Sequence, residues 1–321
     1  MALFPAARRP LLSLLSLGVA ASAIPGLERI LPDGARFLLA LSAVFFVPGA
    51  VLDARLDPEG AARDGRLLRL PWAFLWGLSL LTALSTLAIL ARISWGAFGW
   101  VLILLPPAAI LFAPRREGTA PASWRPPGMS GTAFALLLVF LLAGVAVCLR
   151  AGVPIADDSA GHLAVIRNLL GAPDVGLPRE IFYPGEPLDP RYAFSTWHVI
   201  LAGTASVALA DPLAAWLAAP CLIFLMPVLA WAVLDRALRG SVGGIALAVG
   251  AFVFGIAGHP AVRLAGYYQF PAFYVSFPLL AVLALREASN PSAKNRLLGA
   301  AVLFATASTN PFYGGALPLA A

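Results

Sequence analysis

FSTWHVILAGTASVALA, residues 194–210, is the stretch whose reading decides how this chain is threaded. It is apolar enough to count as a membrane span. If it crossed, Asp235-Arg236-Ala237-Leu238-Arg239 and the stretch from Arg286 to Arg296 would be carried to the opposite face. Kept on one side, as a re-entrant or interfacial helix, it leaves the basic residues gathered on a single face. That gathering is the pattern of cytoplasmic loops. A re-entrant segment is allowed where protein covers its backbone polar groups. The charge balance therefore favours a segment that stays on the outer side.

The rest of the chain is equally apolar. Hydrophobic residues make up 60% of the 321 positions and charged residues only 12%, and the mean hydropathy is +0.86. A soluble core of this length needs far less apolar surface, so the expected class is an all-α, multi-pass transmembrane helical bundle. Nine spans are expected, near 11–25, 35–52, 70–91, 95–113, 131–149, 212–234, 241–258, 270–286 and 297–316. The first ends in Ala21-Ser22-Ala23, a small-residue pattern like that of a cleaved signal peptide. It is read as a retained helix, because the segments after it insert by themselves. The net charge of +6 does not point to nucleic acid, since the arginines sit at helix ends. Cys148 and Cys221 both lie in apolar runs and read as small core residues.

With the N-terminus in the cytoplasm, the inner side holds 14 of the 22 basic residues. The acids and histidines go the other way. Asp157, Asp158, Asp174, Glu180, Glu186, Asp189 and Asp211 all fall in residues 150–211, and His162, His198 and His259 are all assigned to the outer side. That outer loop also carries Pro154, Pro173, Pro178, Pro184, Pro187 and Pro190, so turns rather than one long helix organise it. Loops of this length in compact proteins are functional or disordered, and its apolar and aromatic content argues for order. The chain divides into an N-terminal four-helix segment (1–113), a cytoplasmic linker (114–130, opening PRREGTAPASWRPPG) and a membrane region (131–321) containing the loop. It ends at Ala321 directly after an apparent helix with no polar tail, which reads as a truncation.

Within the loop, DSAGHLAVIRNLL at 158–170 fits a short amphipathic helix. Asp158 and His162 stand one turn apart on the same face, with Ile166 and Leu169, while Arg167 points away. Docking that apolar face turns Asp158 and His162 toward the protein, where partial desolvation suits a carboxylate to general-base work. Either Asp157 or Asp158 can also cap the helix, which is worth about 1 kcal/mol. The two roles are compatible. His162 as a plain interfacial histidine bonded to a carbonyl is the bland alternative. Asp158 and His162 alone are too few ligands to assign a metal.

Other candidates surround the apolar segment. Tyr183, Tyr192, Trp197 and His198 flank it, with an aromatic belt as the plain reading for Trp197. Arg191 reads equally as a turn-surface charge. In the next outer loop, beside His259, Arg263 offers a cationic fork for a phosphate or a snorkelling anchor.

The order of these features resembles the GT-C superfamily of integral-membrane glycosyltransferases. The motif is Asp-Asp-x-x-x-His just after a spanning helix, here Asp157, Asp158 and His162. A helix carrying Arg167 and Asn168 follows, then the Tyr183-Pro184 turn and the apolar segment 194–210. The helix ending Asp235-Arg236-Ala237-Leu238-Arg239 is similar to the family's next helix. The resemblance covers roughly 131–321. Four helices before the loop depart from its simplest members. So does the lack of Asp or Glu in 258–269, which counts against an oligosaccharyltransferase-like metal site.

The resemblance implies a sugar passed from a polyprenyl-phosphate donor to an acceptor hydroxyl, on a glycan, lipid or protein, at the outer face of a bacterial-type plasma membrane. Asp158, with Asp157 second, would be the base, and His162 a neighbour in the site. Arg263, His259, His198, Arg191 and Tyr183 would be substrate- or phosphate-binding residues. No cofactor is required, although a divalent metal is compatible with the scheme. Two other readings stand beside it: a multi-pass transporter or lipid flippase, and a non-catalytic subunit of a cell-envelope assembly complex.

Overall fold

The computed structural model describes residues 31–58, 60–114, 123–151, 158–176, 196–223, 225–239 and 270–309. The side chains of Asp158 and a few other helical residues lie outside that set, as do the expected spans 11–25 and 241–258. The described residues are helical apart from turns and one isolated bridge.

The helices in chain order are α1 (Asp33–Leu56), the short α2 (Gly60–Asp64), α3 (Leu70–Ala91), α4 (Trp95–Leu111), α5 (Gly131–Ala151) and α6 (Asp158–Gly171). They continue with α7 (Thr196–Val207), α8 (Pro212–Ile223), α9 (Leu225–Arg239), α10 (Phe270–Ser289) and α11 (Ala293–Thr309). A 3-10 turn, Leu67–Arg69, leads into α3. The segments expected near 35–52, 70–91, 95–113, 131–149, 270–286 and 297–316 each contain one helix. The segment 212–234 is described as α8 and α9, on either side of residue 224, which lies outside the described residues.

Local chemistry sets several boundaries. Pro71 occupies the first turn of α3, where its missing N–H costs no bond. Arg92, at φ 49°, ends that helix in a left-handed turn. Ser94 caps α4 by accepting from the Ala97 amide at 3.3 Å, and Ser130 caps α5 through Ala133 at 3.1 Å.

Among the described residues, α1 and the run Leu67–Ala91 are each long and apolar enough to cross a membrane. Together α7 and α8 meet the same test, but they are bent by 117°. The described part of that stretch, 196–210, is therefore not the first half of a straight span. Leu104 and Leu111 on α4, with Leu136, Val139 and Leu142 on α5, stay exposed. Apolar surface of that extent suits lipid rather than water.

The antiparallel pair α1–α3 is the spine. A Cβ placed on Gly49 would sit 1.8 Å from the Ala73 carbonyl oxygen, and one on Gly77 would sit 2.2 Å from that of Phe45. Only glycine permits this approach, the device membrane helices use to gain van der Waals contact without a hydrophobic drive. Phe45 then stacks on Phe74 with ring centroids 5.0 Å apart. Helices from both sides of the linker share one core: α8 and α7 pack on α1, α7 on α4, and α11 on α3.

The turn between α7 and α8 is pinned to the start of α1. Arg36 donates to the Ala208 carbonyl at 2.7 Å and to Asp33 at 2.6 Å. The other Asp33 oxygen accepts from the Asp211 amide at 2.8 Å. At the opposite end of α7, Trp197 meets Phe45 edge-on at 6.1 Å. Phe45 lies about 18 Å along α1 from Asp33, at about 1.5 Å per residue. So α7 begins near the middle of α1 and rises to its Asp33 end. The chain after α6 returns to that end too, with the Val175 amide donating to Ile93 at 2.8 Å and a bridge between Ser94 and Asp174.

Candidate functional site

The helix expected at 158–170 is α6, one residue longer. Leu163, Ile166 and Leu169 are buried and Arg167 is exposed, as the helical wheel requires. Asp158 is its first residue, one turn before His162. His162 is 1% exposed. The amphipathic face thus carries an imidazole into the bundle together with its leucines and isoleucine.

What meets it there is His198, 0% exposed, from the start of α7. His162 Nδ1 and His198 Nε2 are 2.8 Å apart, a hydrogen bond between the two rings. The rings lie nearly parallel, 18° between planes and 5.0 Å between centroids. On α8, Trp216 stacks on His162 at 5.3 Å and 25°. Three consecutive described helices therefore converge on one buried aromatic cluster. Two nitrogens on one Zn-type ion, at about 2.0–2.1 Å each and a tetrahedral angle, would stand about 3.3–3.4 Å apart. The separation seen is that of a hydrogen bond. Among the described residues no group of three His, Cys, Asp or Glu is placed to hold a metal.

Of the candidates read from sequence, the structure brings together His162 and His198, and places Asp158 by its backbone at the head of the same helix. Asp157, Tyr183, Arg191, His259 and Arg263 lie outside the described residues. Trp216 was not singled out beforehand. Its position in an apolar helix looks like any core tryptophan.

A second polar cluster, also missed, lies at the Asp57 end of the bundle. Arg69 forms a bidentate pair with Asp53, one arm being Nε to Oδ2 at 2.9 Å. Its remaining nitrogen donates to Asp57 at 3.0 Å and Asp64 at 3.1 Å. Arg63 reaches Asp57 at 2.7 Å and Asp64 at 3.1 Å, and Arg286 on α10 meets Asp57 at 3.3 Å. The guanidinium groups of Arg69 and Arg286 each lie 5.4 Å from the Trp72 ring centre, in cation–π contact. A Cβ on Gly60 would fall 2.6 Å from the Arg69 guanidinium carbon, so a larger residue there would displace the Arg69 side chain.

Burial opposes the charge on Asp57, but the Arg63 hydrogen bond and the charges of Arg69, Arg63 and Arg286 outweigh it. The carboxyl is held below its ordinary range. Burial likewise opposes the charge on Arg63, and its bonds to Asp64 and Asp57 raise its pKa nonetheless. The same end gathers Arg236, which donates to the carbonyls of Pro127 at 2.9 Å and Arg63 at 3.0 Å. The 123–130 stretch docks there as well, with the Arg66 amide donating to Ser123. Sequence counting placed Arg63, Arg69 and Arg286 on one face as bare positive charges. The available signal was the i,i+4 spacing of Asp53 and Asp57 at the end of α1.

Comparison with known proteins brings no match: no family model, no curated protein and no solved structure is similar to this chain.

Proposed function

We propose that this chain is an integral-membrane glycosyltransferase that moves a sugar from a polyprenyl-phosphate donor to an acceptor hydroxyl. In this reading it spans the membrane nine times with its N-terminus in the cytoplasm. Residues 194–210 form a re-entrant segment and the 150–211 loop works on the outer face of a bacterial-type plasma membrane. The observation that carries the reading is the docking of α6. The helix begins at Asp158 and buries His162 against a histidine of the re-entrant segment. The side of α6 that bears His162 is thus the side packed into the bundle. An ionisable pair inside a membrane bundle marks a functional site by default.

The donor lies between helices with its phosphate near Arg263 or His259. His198, Arg191 and Tyr183 belong to the same substrate-binding region. Asp158, with Asp157 as second choice, takes the proton of the acceptor hydroxyl as the oxygen bonds to the anomeric carbon. The carbon–oxygen bond to phosphate breaks and the polyprenyl phosphate leaves with the electron pair. That leaving group is already good, so positioning and charge neutralisation supply much of the rate. The scheme requires no cofactor and is compatible with a divalent metal.

The test is sugar transfer from a labelled polyprenyl-phosphate donor in membranes containing the chain or its Asp158→Asn variant. Transfer should fall by about 100- to 10,000-fold at equal protein level. Equal transfer by both would remove Asp158 from the chemistry, and no transfer by the wild type with any common donor would sink the reading.

A further inference from the structure

His162 and His198 are each at most 1% exposed and touch nitrogen to nitrogen. That contact has a definite proton arithmetic. A neutral pair places one N–H between the rings. Adding one proton keeps the bridge and makes it a charge-assisted hydrogen bond, which is shorter and stronger. Adding a second puts a hydrogen on both facing nitrogens. The bridge is then lost, and two cations oppose each other with ring centres 5.0 Å apart. The contact therefore tolerates one added proton and breaks with two.

The surroundings suit a single charge. The face of Trp216 lies against the His162 ring at 5.3 Å, where a cation is stabilised by the π system. The charged groups on the packed elements can be named. On α6 they are Asp158, one turn before His162, and the exposed Arg167. Helices α3, α4, α7 and α8 carry no Asp, Glu, Lys or Arg. On α1 they are Asp33 and Arg36 at one end and Asp53 and Arg55 at the other. Arg150 lies at the end of α5, Asp235, Arg236 and Arg239 at the end of α9, and Lys294 and Arg296 at the start of α11. Asp158 is thus the acid on the helix that bears the pair, and the other charges sit at helix ends.

We propose that the His162–His198 contact is a latch between α6 and α7 inside the bundle that accepts one proton and is opened by a second. Empty or singly occupied, the pair holds the two helices together; a second proton opens it. The proposal goes beyond the transferase reading and does not depend on it, since neither donor nor acceptor enters the test.

The experiment uses the full chain, carrying nitrogen-15 histidine, in lipid nanodiscs. The pair is identified by nitrogen–nitrogen coupling across its hydrogen bond. Lowering the pH from about 8 to about 4 should load one proton with the coupling retained. The second proton should come with loss of the coupling and a rise of roughly tenfold or more in amide exchange across Leu163–Ile166. A double variant, His162→Phe with His198→Phe, should lose the pH response of those amides. The proposal is overturned by any of three results. These are no coupling at any pH, two protons bound with amide protection unchanged, or the same pH response in the double variant. If the double variant does not fold, the coupling measured in the wild type decides alone.

Discussion

At the Asp57 end of the bundle, three carboxylates and three guanidinium groups interleave around Trp72. Beside the head of α6, two imidazoles meet under Trp216. Both clusters are polar, both lie against an indole, and both tie together helices distant in the sequence. They differ in how their charge is handled. Asp53, Asp57 and Asp64 are matched by Arg63, Arg69 and Arg286, so the first cluster is formally neutral by ion pairing. The second holds no permanent charge, because an imidazole ring can be neutral or take a proton. An ionic network resists pH change until its carboxylates protonate. An imidazole pair has no such reserve. The first is built as a fixed clamp and the second as a responsive contact.

The largest expected effect comes from removing the hub of the clamp. In Arg69→Met, Asp53 would stay buried without its bidentate partner, and Asp57 and Asp64 would each lose a bond. A loss of about 3–5 kcal/mol is expected for breaking such a pair. Thermal unfolding in detergent, followed beside the wild type, would read it. A change within about 0.5 kcal/mol would mean that the ionic end does not act as a clamp.

The counterpart at the other cluster is His198→Phe. It keeps a ring against His162 but removes the bridging nitrogen. Leaving one buried polar group without its partner costs about 1–3 kcal/mol. The same unfolding assay should show this loss, smaller than that of Arg69→Met. An equal or larger loss would reverse the ranking of the two clusters.

Acid separates them next. The Asp57 carboxyl is depressed in the folded state, by the Arg63 bond and the Arg69, Arg63 and Arg286 charges acting against burial. Its contribution to stability is fully present above the ordinary carboxylate value, about 3.9. It is lost as pH falls through the lower folded value. Stability conferred by the Asp57 charge should hold from neutral pH to about 5 and decline below about 4. The wild-type and Asp57→Asn unfolding curves should therefore converge only below that range. Convergence already near neutral pH would contradict the assignment.

The smallest effect is expected at the rim. The Arg286 side chain is 31% exposed and meets a single carboxylate at 3.3 Å. Arg286→Gln should cost no more than about 1 kcal/mol, and high salt should shrink even that. A loss as large as that of Arg69→Met would show that the Trp72 contact, rather than the ion pair, anchors α10.

Much of this was legible in advance, for local reasons. The limits of α3 and the start of α4 follow from a proline, an apolar run and a serine cap. The burial pattern of α6 follows from its period alone. Failures came where the deciding contact is distant. Asp53 and Arg69 are 16 positions apart, and Asp57 and Arg286 are 229 apart. His162 and His198 had each been singled out, but their meeting across 36 positions had not.

Composition and periodicity by themselves determined that the chain is a helical bundle with membrane-length apolar helices. They also placed most helix boundaries and showed which side of α6 faces inward. These properties depend on a residue and its neighbours within a turn or two. Tertiary structure alone decided which polar groups share an interior. That depends on the depth and rotation of each helix, which are set by close contacts such as Gly49 on Ala73 and Gly77 on Phe45. A shift of one turn, about 5.4 Å, would leave every local pattern intact and part the two histidines.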